Sequence, residues 1–450
     1  MRVQVRRRKA GTILGEPLEI FETDNPRREP FCRHFGTCGG CTTQDLEYAA
    51  QLALKEQIVT AAFRESGLVD ELPVLSPIIP APRERQYRNK LEFSFGAQRW
   101  LTDAEVLEAG RIEDRRGFGF HAPGRFDRVL HLSECHLQPD PSEAIRSFLS
   151  SYVMEREFTF YDAREHRGVL RLLIVRTALT GDVMVTVMFG EEDPAVREQL
   201  MGALARRFPE ISSLNYVVNT TKNDSIYDHE VKLWSGDPYI TERCGSVMLR
   251  IRPKAFYQTN SEQAVSLYRT ALGLAGLEST ATGAADSVND PTTDISGFAG
   301  GSGPLVFDLY SGIGSIALSL ADRVGRVVGI ESNDDAVRAA GENAELNGIE
   351  NAIFERGEVE SILPRVIDRH GSPDLVVVDP PRAGMHPRAR RALRDLAAPR
   401  IVYISCNPRT QASDVRELIE RYRIAAVQPV DMFPQTRHVE NVLLLERRER

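Results

Sequence analysis

The last third of the chain alternates short apolar runs with helical patterns, and this alternation limits the fold more than any other feature. Seven of the runs are predicted to be strands: Leu305–Leu309, Val327–Ile330, Ala352–Glu355, Leu375–Val378, Ile401–Ile404, Ala425–Val430 and Val442–Leu445. Strands that alternate with helices favour a doubly wound, mostly parallel sheet. We therefore predict an α/β domain over residues 246–450.

Small and acidic residues follow the first two of these strands. Tyr310-Ser311-Gly312-Ile313-Gly314 lies after the first strand and opens a helix, and Glu331 ends the second strand about twenty residues later. This spacing is typical of a nucleoside site, where glycines allow close approach and the acid binds ribose hydroxyls. Ile316 replaces the third glycine of dinucleotide sites. The pattern thus favours a nucleoside without phosphates, such as S-adenosylmethionine, with Tyr310 covering it.

Two further strands end in residues that can carry chemistry. Asp379-Pro380-Pro381-Arg382 follows the fourth strand, and its prolines stiffen the loop. Cys406 follows the fifth strand, so both side chains are expected at the edge where α/β sheets bind ligands. Taken alone, Cys406 could also be a small buried hydrophobe.

A thiol beside a methyl donor indicates an acceptor carbon that needs activation, such as carbon 5 of a pyrimidine. A thiolate adds at carbon 6, carbon 5 takes the methyl group, and a base removes the remaining hydrogen. Cys406 is the predicted nucleophile, and Glu440, just before the last strand, is the predicted base. His438 competes with Glu440 because its ordinary pKa suits proton transfer.

Four of the six cysteines predict a metal site. The predicted ligands are Cys32, Cys38, Cys41 and Cys135. Four thiolates suit zinc or an iron–sulfur cluster. Only one Cys-x2-Cys pair is present, whereas structural zinc sites usually have two, so the spacing favours a [4Fe–4S] cluster. His34 and His136 are possible substitute ligands.

Other segments surround this chemistry. Residues 1–31 read as a short basic and polar tail that includes Arg6-Arg7-Arg8-Lys9. Residues 32–245 form the predicted central domain, where a helix over 44–67 is expected to dock on the α/β domain. Residues 276–303 lack periodicity and are predicted to be a mobile insertion in that domain.

The central domain is predicted to be rich in β structure. Tyr87–Phe95 and Leu170–Arg176 alternate polar and apolar residues, and Asp182–Phe189 reads as a buried strand. This pattern predicts an antiparallel sheet with one solvated face. Four basic residues could line that face, as RNA contacts or as ordinary solvated charges: Arg88, Lys90, Arg171 and Arg176.

Charge and hydropathy set broader limits. A net charge of −8 argues against a general nucleic-acid coat but allows a local basic groove. No run approaches the roughly 20 apolar residues that a membrane span needs, and no secretory signal is present. We therefore expect a cytoplasmic protein without membrane contact.

Several motifs together carry a family resemblance. Besides the four cysteines, they are Phe256-Tyr257-Gln258-Thr259-Asn260, Asp308-Leu309-Tyr310-Ser311-Gly312-Ile313-Gly314, Asp379-Pro380-Pro381-Arg382, Ser405-Cys406-Asn407-Pro408 and His438-Val439-Glu440. From about Cys32 to the end, the chain resembles the RNA uracil-5-methyltransferase family, in particular the iron–sulfur branch that modifies 23S ribosomal RNA. Many members of that branch carry an N-terminal OB-fold domain, for which 31 residues are too few.

The resemblance implies a role for each matching residue. Cys406 would be the nucleophile, Glu440 the base, and the four cysteines the ligands of a [4Fe–4S] cluster. The residues implied to contact S-adenosylmethionine are Gln258, Tyr310, Glu331 and Asp379, with Glu358 near the adenine. The target uridine would leave its stack to reach the thiol.

Other functions fit parts of the same pattern. A transfer RNA uracil-5-methyltransferase is the first alternative, because some members of the family act on that RNA. An RNA cytosine-5-methyltransferase shares the thiolate chemistry, and the Asp379 loop could serve it. A non-enzymatic RNA-binding assembly factor with a structural cluster is the third alternative. We expect a monomer in each case.

Overall fold

The computed structural model describes residues 2–9, 12–19, 27–101, 105–106, 113–277 and 303–449. The predicted insertion 276–303 lies almost wholly outside the described residues. Within the segment predicted as a tail, strand β1 (Arg2–Lys9) pairs antiparallel with strand β2 (Thr12–Glu19).

Helix α1 (Tyr48–Glu65) follows the cysteine loop and packs on the α/β domain. Its Val59 and Phe63 lie in the same core as Val415 of that domain. The helix begins four residues later than predicted, and the residues before it form a turn in which the Leu46 N–H donates to the Thr43 carbonyl oxygen at 3.1 Å.

The predicted β-rich centre is confirmed as one eight-stranded sheet. Its strands are β3 (Lys90–Gly96), β4 (Arg99–Trp100), β5 (Gly117–His121), β6 (Val129–His131), β7 (Leu170–Thr177), β8 (Val183–Phe189), β9 (Ser213–Val218) and β10 (Lys232–Gly236). They lie in the order β10-β9-β8-β7-β3-β5-β6-β4, mostly antiparallel. Helices α2 (Ser142–Met154) and α3 (Pro194–Arg207) pack on this sheet through Leu149 and Leu204.

The predicted solvated face of this sheet is wrong for two of its four basic residues. Arg171 and Arg176 are buried, whereas Arg88 and Lys90 are half-buried. The segment 219–231 covers the face, and Arg171 donates to the carbonyl oxygens of Asn219, Thr221 and Asn223 within it. Because these bonds consume the guanidinium donors, Arg171 is a structural residue and not an open RNA contact.

A β-hairpin leads into the α/β domain. It consists of β11 (Ile240–Cys244) and β12 (Val247–Ile251), and helix α4 (Ser261–Leu274) follows. Leu249 packs in the same core as Ile404. The predicted boundary between residues 245 and 246 falls inside this hairpin.

The predicted seven-stranded sheet is confirmed. Its strands are β13 (Leu305–Leu309), β14 (Arg326–Glu331), β15 (Ala352–Arg356), β16 (Leu375–Val378), β17 (Arg400–Ser405), β18 (Tyr422–Val430) and β19 (Glu440–Arg447). The helices between them are α5 (Ser315–Leu320), α6 (Asp334–Leu346), α7 (Val359–His370), α8 (Pro387–Leu396) and α9 (Pro408–Leu418).

The strand order is β15-β14-β13-β16-β17-β19-β18. The first five strands in that order are parallel, and β19 runs antiparallel to both its neighbours. Apolar cores lie on both faces of the sheet, as a doubly wound fold requires. Since β19 is reversed, its first residue lies at the edge where the parallel strands end.

Candidate active site

Cys406 and Glu440 lie next to each other at this edge. Ser405, the last residue of β17, pairs with Asn441 of β19. Cys406 follows Ser405 and Glu440 precedes Asn441, so the two residues lie just beyond the last pair of this antiparallel ladder. Directly opposed residues of such pairs have Cα atoms about 4.5–5.5 Å apart. The predicted nucleophile and base are therefore brought together.

Both groups favour their neutral forms. Burial raises the pKa of the Cys406 thiol to about 11, and the carboxyls of Glu440 and Asp379 add to the effect. Burial also raises the pKa of Glu440 to about 8, with a further contribution from Asp379. A carboxyl whose pKa lies near neutral pH is suited to accept and return a proton.

Arg382 opposes both of these shifts, and its role was not predicted. Its charge lowers the pKa of Cys406 and of Glu440 against the stronger effect of burial. Its Nη2 lies 3.1 Å from Nδ1 of His438, and its carbonyl oxygen accepts a bond from Asn407 Nδ2 at 3.2 Å. The signal was present in the sequence, since Arg382 ends the Asp-Pro-Pro-Arg motif.

His438, the competing base, is exposed. Partial desolvation of its ring at the protein surface and the neighbouring charge of Arg382 lower its pKa, so the imidazole is neutral at neutral pH. Glu440 is 2% exposed and lies beside Cys406 at the sheet edge, and its own pKa is raised toward neutral pH. The geometry therefore favours Glu440 as the base.

Asp379 and Gln258 meet across the crevice. Gln258 Nε2 lies 3.5 Å from Asp379 Oδ2, at the limit of a hydrogen bond. Burial raises the pKa of Asp379 to about 7, and the contact with Gln258 lowers it in part. Asn89 of the central domain holds the Gln258 carbonyl oxygen at 2.8 Å. The two predicted cofactor residues thus come together from distant parts of the chain.

The glycine-rich turn after β13 is held by left-handed residues and by hydrogen bonds to the end of β14. Tyr310 and Gly314 have φ angles of 66° and 83°, and the Tyr310 N–H donates to the Ile330 carbonyl at 2.9 Å. Glu331 Oε2 accepts from the Gly312 N–H at 3.1 Å. A Cβ atom on Gly314 would lie 2.9 Å from Phe354 Cζ, so glycine is required there.

Two other acidic residues differ in their placement. Asp308 is fully buried beneath the turn, and its Oδ2 accepts from the Ala317 N–H at 3.0 Å. Among the described residues its Oδ1 has no hydrogen-bond partner. Glu358 is exposed at the start of α7 and lies near enough to Tyr310 to affect its pKa. Phe256, which sequence reasoning left without a role, is 64% exposed two residues before Gln258.

The four predicted metal ligands also come together. Cys32, Cys38, Cys41 and Cys135 are free thiols that line one cavity. Burial raises the pKa of each of these thiols, to about 11 for Cys41 and about 12 for Cys135. Ligand atoms of Cys32, Glu134 and His136 lie within 4.8 Å of one another. The four thiols that line the cavity have the chemistry to ligate a metal through sulfur.

Comparison with known proteins shows the family of the chain. The sequence profile of the tRNA (Uracil-5-)-methyltransferase family matches residues 298–448. A protein of Porphyromonas gingivalis named as an uncharacterized RNA methyltransferase is 45% identical over 99% of this chain and 92% of its own length. The chain belongs to the RNA uracil-5-methyltransferase family. It is thus an S-adenosylmethionine-dependent RNA methyltransferase by family.

Two further proteins resemble the chain over nearly its full length. A similarly named protein of Bacteroides thetaiotaomicron is 41% identical over 99% of this chain and 94% of its own. The crystal structure of Pyrococcus abyssi tRNA (uracil-54, C5)-methyltransferase in complex with S-adenosyl-L-homocysteine superposes with a TM-score of 0.71. The two sequences are 28% identical, and the match covers 99% of this chain and 92% of the Pyrococcus abyssi chain. No helix among the described residues has the length and apolar character needed to span a membrane.

Proposed function

We propose that this family member methylates carbon 5 of a specific uridine in cytoplasmic RNA, with Cys406 as nucleophile and Glu440 as base. The observation that carries the proposal is the adjacent placement of the two residues at the sheet edge. The charge of Glu440 contributes to the raised pKa of the Cys406 thiol, which supports the close placement of the two groups.

The proposed steps keep atoms and electrons in balance. The Cys406 thiolate forms a bond from Sγ to carbon 6 of the uracil, and the ring electrons move toward carbon 5 and oxygen 4. Carbon 5 would then take the methyl group from the sulfonium of bound S-adenosylmethionine, whose sulfur would keep the electron pair of the broken bond and become the neutral thioether of S-adenosylhomocysteine. Glu440 removes the hydrogen from carbon 5, the carbon 5–carbon 6 double bond reforms, and the bond to Sγ breaks. The thiolate leaves unchanged, and the proton remains on the carboxyl group.

Residues on the neighbouring strands would hold the methyl donor. S-adenosylmethionine supplies an electrophilic methyl group and a positive charge when it is bound. We propose that Glu331 binds the ribose hydroxyls of the donor. Tyr310, Gln258 and Asp379 would contact the donor within the crevice. Glu358 would lie toward the adenine. Oδ1 of Asp308 has no hydrogen-bond partner within the part of the chain that the structure describes, which supports a polar ligand beneath the glycine turn.

Activation of Cys406 must accompany substrate binding. With a pKa of about 11 the free thiol is protonated at neutral pH, and thiolate is the reactive form. Arg382 already favours the thiolate, and a cationic ligand beside Asp379 would act in the same direction. In the free enzyme the Cys406 thiol is therefore protonated and unreactive, and binding of the ligands would favour the reactive thiolate.

We propose that the four cysteines hold a [4Fe–4S] cluster. The spacing favours a cluster over zinc, and the four thiols share one cavity. The protein should be brown when purified without oxygen. A colourless protein with one zinc ion per chain would instead assign a zinc site.

The RNA is either 23S ribosomal RNA or transfer RNA. The four-cysteine pattern and the resemblance to the iron–sulfur branch support 23S RNA, which is our proposal. The likeness to the Pyrococcus abyssi transfer RNA enzyme supports the second candidate. Mapping 5-methyluridine in both RNAs from a deletion strain, and after return of the gene, distinguishes them.

A pair of cysteine variants tests the enzymatic role. Cys406→Ala should fail to restore the missing 5-methyluridine, whereas Cys244→Ala, a control at a buried cysteine outside the site, should restore it. If the missing base is 5-methylcytidine, the cytosine reading is correct. If Cys406→Ala restores methylation, the proposed mechanism is wrong, and if no methylated base depends on the gene, the non-enzymatic reading gains support.

A further inference from the structure

The loop that leads into Glu440 is held mainly by other parts of the chain. We call residues 431–439, between β18 and β19, the base loop. At its centre, Gln435 is fully buried and has a φ angle of 68°. Its carbonyl oxygen accepts bonds from the Thr42 and Thr43 N–H groups at 2.8 and 3.1 Å. These two residues directly follow Cys41, so the loop that carries Cys32, Cys38 and Cys41 is hydrogen-bonded to the base loop.

The side chain of Gln435 makes a second set of contacts with the N-terminal region. Its Oε1 accepts from Gln51 Nε2 at 3.0 Å and from Arg28 Nη2 at 3.1 Å. Its Nε2 donates to Glu84 Oε2 at 3.1 Å. Its backbone N–H donates to Gln51 Oε1 at 2.8 Å. Gln51 and Gln435 therefore bond reciprocally inside the protein.

Helix α1 and the central domain hold the start of the same loop. Lys55 and Asp431 are fully buried and form an ion pair, and Lys55 Nζ also donates to the Phe433 carbonyl at 3.0 Å. Tyr48 donates its hydroxyl to Asp431 Oδ2 at 2.9 Å. Tyr87 donates to the Pro434 carbonyl at 2.9 Å.

This network defines geometry more than it adds stability. A buried ion pair is weak evidence of stabilisation, because removing two charges from water offsets their attraction. A base must lie within hydrogen-bond reach of the proton that it removes, and a displacement of about 1 Å can lower a rate roughly 100-fold. The contacts with the rest of the chain reach Gln435, five residues before Glu440, and so restrain the segment that leads into the proposed base.

We propose that Gln435 is a positioning residue for Glu440, and that the segment Arg28–Lys55 is thereby part of the catalytic apparatus. The inference rests on the proposed function, since it assigns Gln435 to one step of that reaction. It requires that loss of the Gln435 side chain slow removal of the carbon 5 hydrogen more than the earlier steps.

The test uses two variants and a matched control. Gln435→Gly keeps the left-handed backbone and removes the side chain, and Gln435→Asn, which also tolerates this backbone, serves if the glycine variant does not fold. Gln428→Ala is the control, because Gln428 likewise joins the N-terminal region to β18 through Pro77 but lies outside the base loop.

The first measurement separates the chemical steps. The enzyme is mixed in excess with RNA that carries ordinary uridine or uridine with deuterium on carbon 5. For Gln435→Gly we expect the methylated covalent adduct to accumulate, with its breakdown slowed about 10-fold, as a change of about 1.4 kcal/mol in the barrier produces. The deuterium isotope effect on adduct breakdown should exceed that of the wild type. Gln428→Ala should match the wild type.

The second measurement needs no turnover. Hydrogen–deuterium exchange should become faster in peptides covering residues 436–441 of Gln435→Gly, and not in those of Gln428→Ala. An isotope effect equal to that of the wild type, with all steps slowed alike, would reduce Gln435 to a structural residue and overturn the inference. A wild-type enzyme that neither methylates uridine nor forms an adduct would instead overturn the proposed function. Unchanged exchange in 436–441 would overturn the positioning role in either case.

Discussion

Replacing the carboxyl of Glu440, the proposed base, should make the protein more stable at neutral pH while it abolishes turnover. Burial raises the pKa of Glu440 from an ordinary 4.5 to about 8, so the folded protein holds a proton that the unfolded chain has released. Where the folded state binds more protons, stability falls as pH rises. The contribution of the protonated Glu440 carboxyl to stability is therefore fully present below pH 4.5 and is lost progressively between pH 4.5 and pH 8.

The size of the effect follows from the two pKa values. With 1.36 kcal/mol per pKa unit, ionisation of the unfolded carboxyl destabilises the folded state by about 3 kcal/mol at pH 7 and about 1 kcal/mol at pH 5. Glu440→Gln keeps the shape of the side chain and cannot ionise. Its free energy of unfolding should exceed that of the wild type by these amounts.

Urea unfolding at pH 5 and pH 7, followed by far-ultraviolet circular dichroism, measures the difference. Glu446→Gln is the control, because it makes the same chemical change on the same strand at a more exposed ion pair with Arg423. It should change stability by about 0.5 kcal/mol or less at either pH. A Glu440→Gln variant that is less stable than the wild type at pH 7, or whose advantage is equal at pH 5 and 7, would refute the raised pKa.

Three further predictions concern the pH dependence, the cofactor turn and the metal site. The rate of adduct breakdown should rise with pH through about 8, because Glu440 must be ionised to act as a base, and a rate independent of pH from 6 to 9 would exclude that role. Gly314→Ala should weaken S-adenosylmethionine binding about 10-fold, because the left-handed φ and the contact with Phe354 together disfavour a side chain by about 1–2 kcal/mol. Gly341→Ala is the control, since Gly341 lies in open space on helix α6. Its affinity for S-adenosylmethionine, measured by calorimetry, should equal that of the wild type. Cys38→Ser should lose bound iron and melt at a lower temperature, because the loop leading to Thr42 loses its anchor, whereas retention of iron with an unchanged melting temperature would count against the cluster.

The sequence predicted what short-range patterns control. The seven strands of the α/β sheet lie within a few residues of their predicted positions, because each is an apolar run bounded by polar turns. The meeting of Cys406 with Glu440 followed from the same pattern, since both flank strands that end at one edge. The joint position of the four cysteines was likewise expected from their chemistry.

Long-range contacts lay beyond the sequence. The burial of Arg171 depends on segment 219–231 folding over the sheet, and no local pattern indicates this cover. Gln435 contacts a glutamine 384 residues away, so its role could not be inferred from its neighbours in the chain. Arg382 was visible in its motif, but its effect on the thiol depends on the return of β17 to the same edge.

The attack of one sulfur atom on a uracil ring can be tested directly with RNA that contains 5-fluorouridine. Fluorine on carbon 5 cannot be removed by a base, so addition and methylation should leave the enzyme covalently joined to the RNA. With S-adenosylmethionine present, we expect a stable complex whose mass equals protein plus methylated RNA, with the link on Cys406 after digestion. Absence of the complex, or the same complex with Cys406→Ala, would contradict the mechanism.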